Sequence, residues 1–515
     1  MTQEYLARAA HVLSRINELA AISEDADGVT RTFGTPAFVA GRSLVQSWMN
    51  AAGLSTRIDA IGNLRGRLAS AQPGAKTFVI ASHIDTVVNA GKFDGPLGVL
   101  LGLDLLENLI RQKVALPFHV ELIAFSDEEG VRFHTTYLGS KVLAGSFEKS
   151  WLSRADAAGI PLAQAIAGAG GDPARLAADA LPAEEWLGYF EVHIEQGPVL
   201  WEKNIPVALV TAIAGQQRVE LSWRGMAGHA GTVPMTMRQD ALAAAAEFVL
   251  AVEQFGREHH ENTVATVGKL HVTHAASNVI PGEVTCSLDL RSANPVQLNK
   301  AYGALWQTAG TIADRRTIEL NWKAVQQTLP VHCSSKLNQL LHQAIAGAGH
   351  EVVQLVSGAG HDAVPISAVA PATMLFVRCY QGISHNPLEN AEVPDIAAAI
   401  EVAAGFVERL AADVNSWFDV VRRYPVGSLL TGEVVQQAQF GVFVKTGFDG
   451  VTGLAEFLYF ADAPAWDAPP PPGGHQINYP AIGQVVTGVV LSYRPGNKQI
   501  DISLRPEHLA QASNN

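Results

Sequence analysis

Up to about residue 214, short continuous apolar runs alternate with longer stretches of helical period. Residues 77–81 (TFVIA) and 120–125 (VELIAF) have strand length, and 97–110 (LGVLLGLDLLENLI) between them has helical length and spacing. Apolar runs this short read as strands buried on both faces. Strand, helix, strand in succession predicts a mainly parallel sheet covered by helices. The Ala- and Gly-rich stretch 163–182 predicts helices and loop. From about residue 215 the pattern becomes alternating: residues 218–223 put Val219, Leu221 and Trp223 on one face, and 318–322 alternates again. A helix is predicted at 241–252 and strands at 263–267 and 284–290. Alternation means strands with one exposed face, hence a small antiparallel sheet with helices on one side. After residue 330 the buried character returns, with a strand at 374–377 and a helix at 396–410. The expected organisation is an α/β domain from residues 1–213 and 329–413, interrupted by a smaller α+β domain at 214–328.

Beyond residue 424 the runs become short and β-prone, at 426–435, 441–444, 485–491 and 499–504. The sequence Arg494-Pro495-Gly496-Asn497 is a turn signal, and the prolines at 469–472 with Gly473-Gly474 predict a loop. Short strands separated by turns predict a small β-barrel over 424–510.

Composition narrows the function. A chain of 515 residues suits roughly three domains, and 48% apolar with 17% charged residues excludes wholesale disorder. A net charge of −13 argues against general nucleic-acid binding and against an anionic membrane surface. Cys286, Cys333 and Cys379 are far apart and form no CxxC pair, which excludes a disulfide framework or a cysteine zinc cluster and fits a reducing cytosol. The N-terminal residues 1–20 carry charges every few positions and read as an amphipathic helix, not a signal peptide. No uncharged apolar run reaches the roughly 18 residues of a membrane span. A cytoplasmic location is expected.

Ionisable residues gather just after the predicted strands. His83 and Asp85 follow the first; two apart on an extended chain, they point the same way, as a histidine ligand and its orienting carboxylate or as a surface pair. Asp94, between Gly91 and Gly95, reads on its own as a turn aspartate. Asp127-Glu128-Glu129 closes the strand at 120–125, at the end of an α/β sheet where ligands bind. Three adjacent acids form either a solvated loop or a site in which one acid binds a metal and its neighbour acts as general base. Glu191, His193 and Glu195 alternate onto one face, and His385 lies in the loop after 374–377. Gly358-Ala359-Gly360-His361-Asp362 is a turn too short for a phosphate loop. Together these nitrogen and oxygen donors, without a thiolate, suit a pair of zinc, manganese or cobalt ions.

The motifs SHIDTVVNAGKFDG, FSDEEGVRF, EVHIEQGPVL, GMAGHAGTVPM, SNVIPG, DLRS, SGAGHDA and GISHNP resemble, in order, those of the hydantoinase/carbamoylase group of di-metal amidohydrolases. That group includes N-carbamoyl-L-amino-acid hydrolases and allantoate amidohydrolases. The resemblance spans about residues 1–412 and implies a di-zinc exopeptidase-like catalytic domain with an inserted lid and dimerisation domain. It implies two divalent ions per subunit (Zn, or Mn, Co or Ni), with His83, Asp94 and His193 holding one and Asp94, Glu129 and His385 the other. Glu128 would be the general base and Asp85 the carboxylate orienting His83. His229 would serve the partner subunit of a homodimer as oxyanion donor, and Gln217, Asn278, Arg291 and Gly360 would contact the substrate. For Arg291, pairing with Asp289 is the alternative.

The implied activity is hydrolysis of a ureido group on a small acid, with release of ammonia and carbon dioxide. An N-acyl amino-acid hydrolase or dipeptidase is the alternative within the superfamily. The tail is similar to the ribosomal S-one-type OB-fold, with Phe440 and Phe443 at base-stacking positions. An RNA-associated binding protein is the alternative of another class. The few bases of the tail, Lys445, Arg494, Lys498 and Arg505, are outnumbered by acids, which favours a packing or assembly module over RNA binding.

Overall fold

The first apolar run becomes the strand Thr77–His83, buried at every residue. It pairs in parallel with His119–Phe125 and Trp186–Ile194, and the latter pairs in parallel with Ala372–Val377. These four form the centre of a nine-stranded sheet. Antiparallel strands Leu64–Leu68 and Ser55–Ile58 extend one flank. Val207–Ile213 extends the other, paired with Val331–His332 and with Gln354–Ser357. Continuous burial on both faces is what a parallel sheet requires, because the crossover helices cover it. One of these, Pro96–Arg111, is buried along most of its length. Another, Val393–Arg423, sets Phe406 between Phe78 and Phe190 of neighbouring strands, with ring centroids 6.0 and 4.8 Å away.

The structure, a computed structural model, describes residues 2–261, 263–460, 478–494 and 497–512. Residues 469–474 and the Pro495-Gly496 part of the expected turn lie outside them. The chain forms two compact units, Met1–Arg409 and Leu410–Asn515.

Within the first unit a second, five-stranded sheet is built from Leu270–Val272, Glu283–Ser292, Gly215–Arg224, Glu319–Thr328 and Val264–Thr266. Its pairings are all antiparallel. Strict alternation along Glu283–Ser292 puts Leu288 and Leu290 on the face covered by helices Ala241–Glu258 and Pro295–Arg316. Trp223 and Phe248 fill that core, as the alternation of 218–223 predicts. The short strands Gly228–His229 and Val279–Ile280 pair separately.

Two departures from the sequence pattern have physical causes. The helix expected at 396–410 runs to Arg423, since no breaker appears before Pro425 and Val420 resumes the apolar stripe. The strands Ser55–Ile58 and Leu64–Leu68 escape the pattern because arginines interrupt it. Arg65 is buried all the same, forked onto Glu121 of the adjacent strand at 2.7 and 2.8 Å.

The second unit contains a closed barrel of Leu429–Ala438, Gly441–Lys445, Thr452–Glu456, Gln499–Ser503 and Val485–Arg494. Its core holds Leu430, Val434, Val442, Val444, Ile500 and Ile502. The strand Thr452–Glu456 adds to the four expected runs. Arg494 pairs with Glu456 and Asp501, Lys498 with Asp413, and Arg505 donates to the Leu458 carbonyl. Three of the four expected cations are thus engaged inside this unit. Among the described residues, no helix is long and apolar enough to cross a membrane.

Phe406→Ala leaves a void against two strands of the main sheet, and a loss of about 3–5 kcal/mol is expected. Denaturant unfolding measures it; a change below about 1 kcal/mol contradicts this account of the packing.

Candidate metal centre

The C-terminal ends of the four parallel strands converge on Asp94, which lies in the turn entering helix Pro96–Arg111. His83 ends its strand, Asp127 to Glu129 follow His119–Phe125, and His193 lies near the end of Trp186–Ile194. One oxygen of Asp94, Oδ1, lies 3.4 Å from His83 Nε2 and 3.1 Å from His193 Nε2. The other, Oδ2, lies 3.2 Å from His385 Nε2, which is 3.5 Å from Glu129 Oε1. The carboxylate therefore stands between two histidines on one side and His385 with Glu129 on the other. Ligand atoms of His83, Asp94 and His193 lie within 4.8 Å of one another, as do those of Asp94, Glu129 and His385. His83, Glu128 and Glu129 form a third such set.

The ring orientations follow from hydrogen bonds. His83 Nδ1 lies 3.0 Å from the Asp85 carbonyl, and His193 Nδ1 lies 2.9 Å from the Ile194 carbonyl. A carbonyl only accepts, so each Nδ1 carries a proton and each Nε2 is the nitrogen turned toward Asp94, the one that could hold a cation. This departs from the expected role of Asp85. Its carboxylate is 3.8 Å from His83 Nδ1 and instead accepts from the backbone N–H groups of Glu128 and Glu129, at 3.1 and 3.2 Å. Asp85 thus orients His83 through its main chain and fixes the two glutamates through its side chain.

Burial pushes Glu128 well above the usual carboxylate range, and Glu129, Asp362 and Asp85 add to the rise against the pull of His83. Burial, with Asp94 nearby, raises Glu129 to about 7. The hydrogen bond to Asp94 lifts His385 to about 9. Asp127 and Asp362 are raised by burial, and each keeps one buried oxygen without a hydrogen-bond partner. A pocket with this surplus of carboxylate oxygen and oriented imidazole nitrogen calls for positive charge, and the donor set fits divalent cations.

The expected substrate residues fall in three places. Arg291 forks onto Asp289 with Nε and Nη2, both at 3.0 Å, and Nη1 donates to the Gly358 carbonyl at 2.6 Å. It therefore makes the alternative pairing while joining the second sheet to the glycine turn of the first. A cleft of about 1040 Å³ is lined by Arg218, Asp289, Arg291 and Gly358. Gly360 packs so closely that a Cβ would overlap the Tyr137 hydroxyl. Gln217 is buried, and its Nε2 donates to Asn299 Oδ1 of helix Pro295–Arg316 at 2.9 Å. Its neighbour Gln216 takes the opposite face and donates to Asp289 at 2.8 Å, since a one-residue step on a strand reverses the face. His229 and Asn278 are exposed and adjoin one another: the Ala230 N–H donates to the Asn278 carbonyl, and Val279 pairs with His229.

Three further residues reach Asp94. Gln196 Nε2 and Ser384 Oγ each donate to Oδ2 at 2.7 Å, and Glu389 accepts from the Asp94 backbone N–H. Gln196 and Ser384 lie within the motifs EVHIEQGPVL and GISHNP, and Glu389 lies just beyond the latter, but an uncharged or lone acidic residue in a loop carries no periodic signal.

Residues 79–409 match the model of peptidase family M20/M25/M40. An N-carbamoyl-L-amino acid amidohydrolase of Geobacillus stearothermophilus is 39% identical over 398 residues, which are 77% of this chain and 97% of that protein. Allantoate deiminase 2 of Glycine max is 38% identical over 431 residues, 77% of this chain and 89% of that protein. The crystal structure of a hydantoinase/carbamoylase family amidase from Burkholderia multivorans superposes with a TM-score of 0.73 at 33% identity. The match covers 78% of this chain and 97% of that one. With these likenesses and the geometry above, the chain belongs to peptidase family M20/M25/M40, a metal-dependent family.

Gly360→Ala forces the Tyr137 ring to shift and is expected to destabilise the protein by about 1–3 kcal/mol. Adding Tyr137→Ala makes room for the methyl group, so the double variant should lose less than the sum of the two. Additive thermal-stability losses would show that the two side chains do not meet.

Proposed function

We propose that the protein is an amidohydrolase that removes the carbamoyl group of an N-carbamoyl-L-amino acid or of allantoate. The observation that carries this reading is Asp94 shared between three histidines, with Glu128 buried beside them. The named activities of the relatives supply the substrate class. In this reading His83, Asp94 and His193 hold one divalent ion and Asp94, Glu129 and His385 the other, zinc, manganese, cobalt or nickel. When bound, such ions supply a Lewis acid that lowers the pKa of water and polarises a carbonyl.

Glu128 accepts, on a carboxylate oxygen, the proton of the water that attacks the carbamoyl carbon. It then gives the proton to the nitrogen whose bond to that carbon breaks. A ureido acid R–NH–CO–NH2 and one water become R–NH2, carbon dioxide and ammonia. Asp85 keeps Glu128 in place through the backbone. Arg291, with three of its five N–H groups engaged, offers the others to the substrate carboxylate. Gln216 shares its face, and Gly360 lets backbone approach the substrate.

His229 and Asn278 serve the site of a second copy of the chain in this reading. Met226, Met235 and Met237, on the same loop as His229, are 67%, 76% and 73% exposed, an apolar surface that suits cover by a partner subunit. His229 then stabilises the oxyanion across the interface, a contribution of about 2.7–4 kcal/mol for such a donor.

The test is ammonia release from allantoate, β-ureidopropionate and several N-carbamoyl-L-amino acids, with N-acetyl counterparts assayed for free amine. Cleavage of ureido compounds alone supports the proposal; cleavage of acyl compounds alone overturns it in favour of an aminoacylase. Glu128→Gln is expected to lower turnover by at least about 100-fold while two metal ions stay bound; normal turnover removes Glu128 from the role of base. His229→Ala is expected to be inactive alone and to recover activity in mixed dimers with Glu128→Gln chains. Absence of recovery would place His229 in the service of its own subunit.

A further inference from the structure

A carboxylate outside the candidate ligand set ties together the two loops that bring Asp94 and His385 to one place. Glu389 is buried, at 3% exposure, four residues beyond His385. Its Oε1 accepts from the backbone N–H groups of Phe93 and Asp94, at 2.6 and 3.1 Å. Its Oε2 lies 3.1 Å from Ser384 Oγ, whose one proton it shares with Asp94 Oδ2 at 2.7 Å. The carboxylate thus grips the main chain of the Asp94 turn with one oxygen and the residue before His385 with the other. The Glu389 N–H donates to the Asn386 carbonyl at 3.0 Å, which holds its own loop around His385. Gly91 makes room for the arrangement, since a Cβ there would overlap the Glu389 side chain. A buried carboxylate that accepts two backbone N–H groups is a rigid element, because releasing it would orphan both donors, while the Ser384 hydroxyl would keep Asp94.

We infer that Glu389 is a positioning residue for the metal centre: it sets the separation between Asp94 and His385, and so the affinity of the site they share with Glu129. The inference rests on the reading of the cluster as a metal centre. The role needs no contact between Glu389 and substrate or ion. The turn holding Asp94 and the loop holding His385 are 290 residues apart in sequence between Asp94 and Ser384, and Glu389 is a direct bond between them.

The test is equilibrium dialysis of metal-stripped full-length protein against Mn2+ and Zn2+, with thermal unfolding of the stripped proteins alongside. Glu389→Ala is expected to weaken binding of one of two ions by about 10–100-fold, the usual effect of removing a group behind the ligands. Glu389→Gln keeps an acceptor for the Phe93 and Asp94 N–H groups and is expected to restore most of that affinity. At saturating metal, Glu389→Ala should recover much of its turnover, with KM near that of the parent. Should Glu389→Ala fail to fold, Ser384→Ala and Gly91→Ala probe the same clamp, one removing the shared hydroxyl and the other displacing the carboxylate. Weakened binding of one ion supports the inference. Parent-like affinity for both ions in every folded variant overturns the clamp alone, whereas a parent protein that binds no ion overturns the metal centre and the clamp with it.

Discussion

Buried negative charge is the constraint around which the first unit is arranged. Asp85, Asp94, Asp127, Glu128, Glu191 and Asp362 are all buried in or beside the ends of the parallel strands. Carboxylates in such a place either take up protons or find positive charge. The fully buried Arg31 gives its donors to the carbonyls of Leu19, Ile22 and Ile84, not to these acids. Backbone N–H groups satisfy part of the need: those of Glu128 and Glu129 on Asp85, and that of Ala363 on Glu191. One oxygen each of Asp127 and Asp362 stays without a partner, and the carboxylate of Asp94 stands among three Nε2 atoms in a donor set that fits divalent cations.

The parallel centre of the main sheet makes this confinement practicable. Parallel strands end together, so loops distant in sequence deliver their side chains to one edge. Each strand is held by neighbours on both sides, and Phe406 wedges two of them from behind. Ligands carried on such strand ends inherit the rigidity of the sheet, and the loops between them can diverge without moving the histidines.

Most of the fold was legible because its elements differ sharply in pattern. The wholly apolar run at 77–81, the alternation at 218–223 and the turn-punctuated tail point to three kinds of β-structure, and three are found. Arg65 hid a strand because its buried partner, Glu121, lies far along the chain. The histidines and acids of the site were legible by type and by their position after strands. What one sequence could not give was direction: which of Gln216 and Gln217 faces Asp289, or that Asp85 turns its carboxylate to backbone N–H groups. Those outcomes depend on one-residue differences of register and on hydrogen bonds to main chain, which leave no mark in residue type.

The chain enters and leaves the second sheet through neighbouring strands, Gly215–Arg224 and Glu319–Thr328, paired from Gln216 with Thr328 to Arg224 with Glu319. The Gln216 N–H also donates to Thr328 Oγ1 at 3.1 Å, at the root of the pair. Two strands bonded edge to edge behave as a ribbon, compliant across its flat face and stiff within its plane. The root of the second sheet is thereby fixed by both strands together, not by a single flexible connection. Arg291, bonded to the Gly358 carbonyl at 2.6 Å, adds a tie between the two sheets at a point remote in sequence from that root.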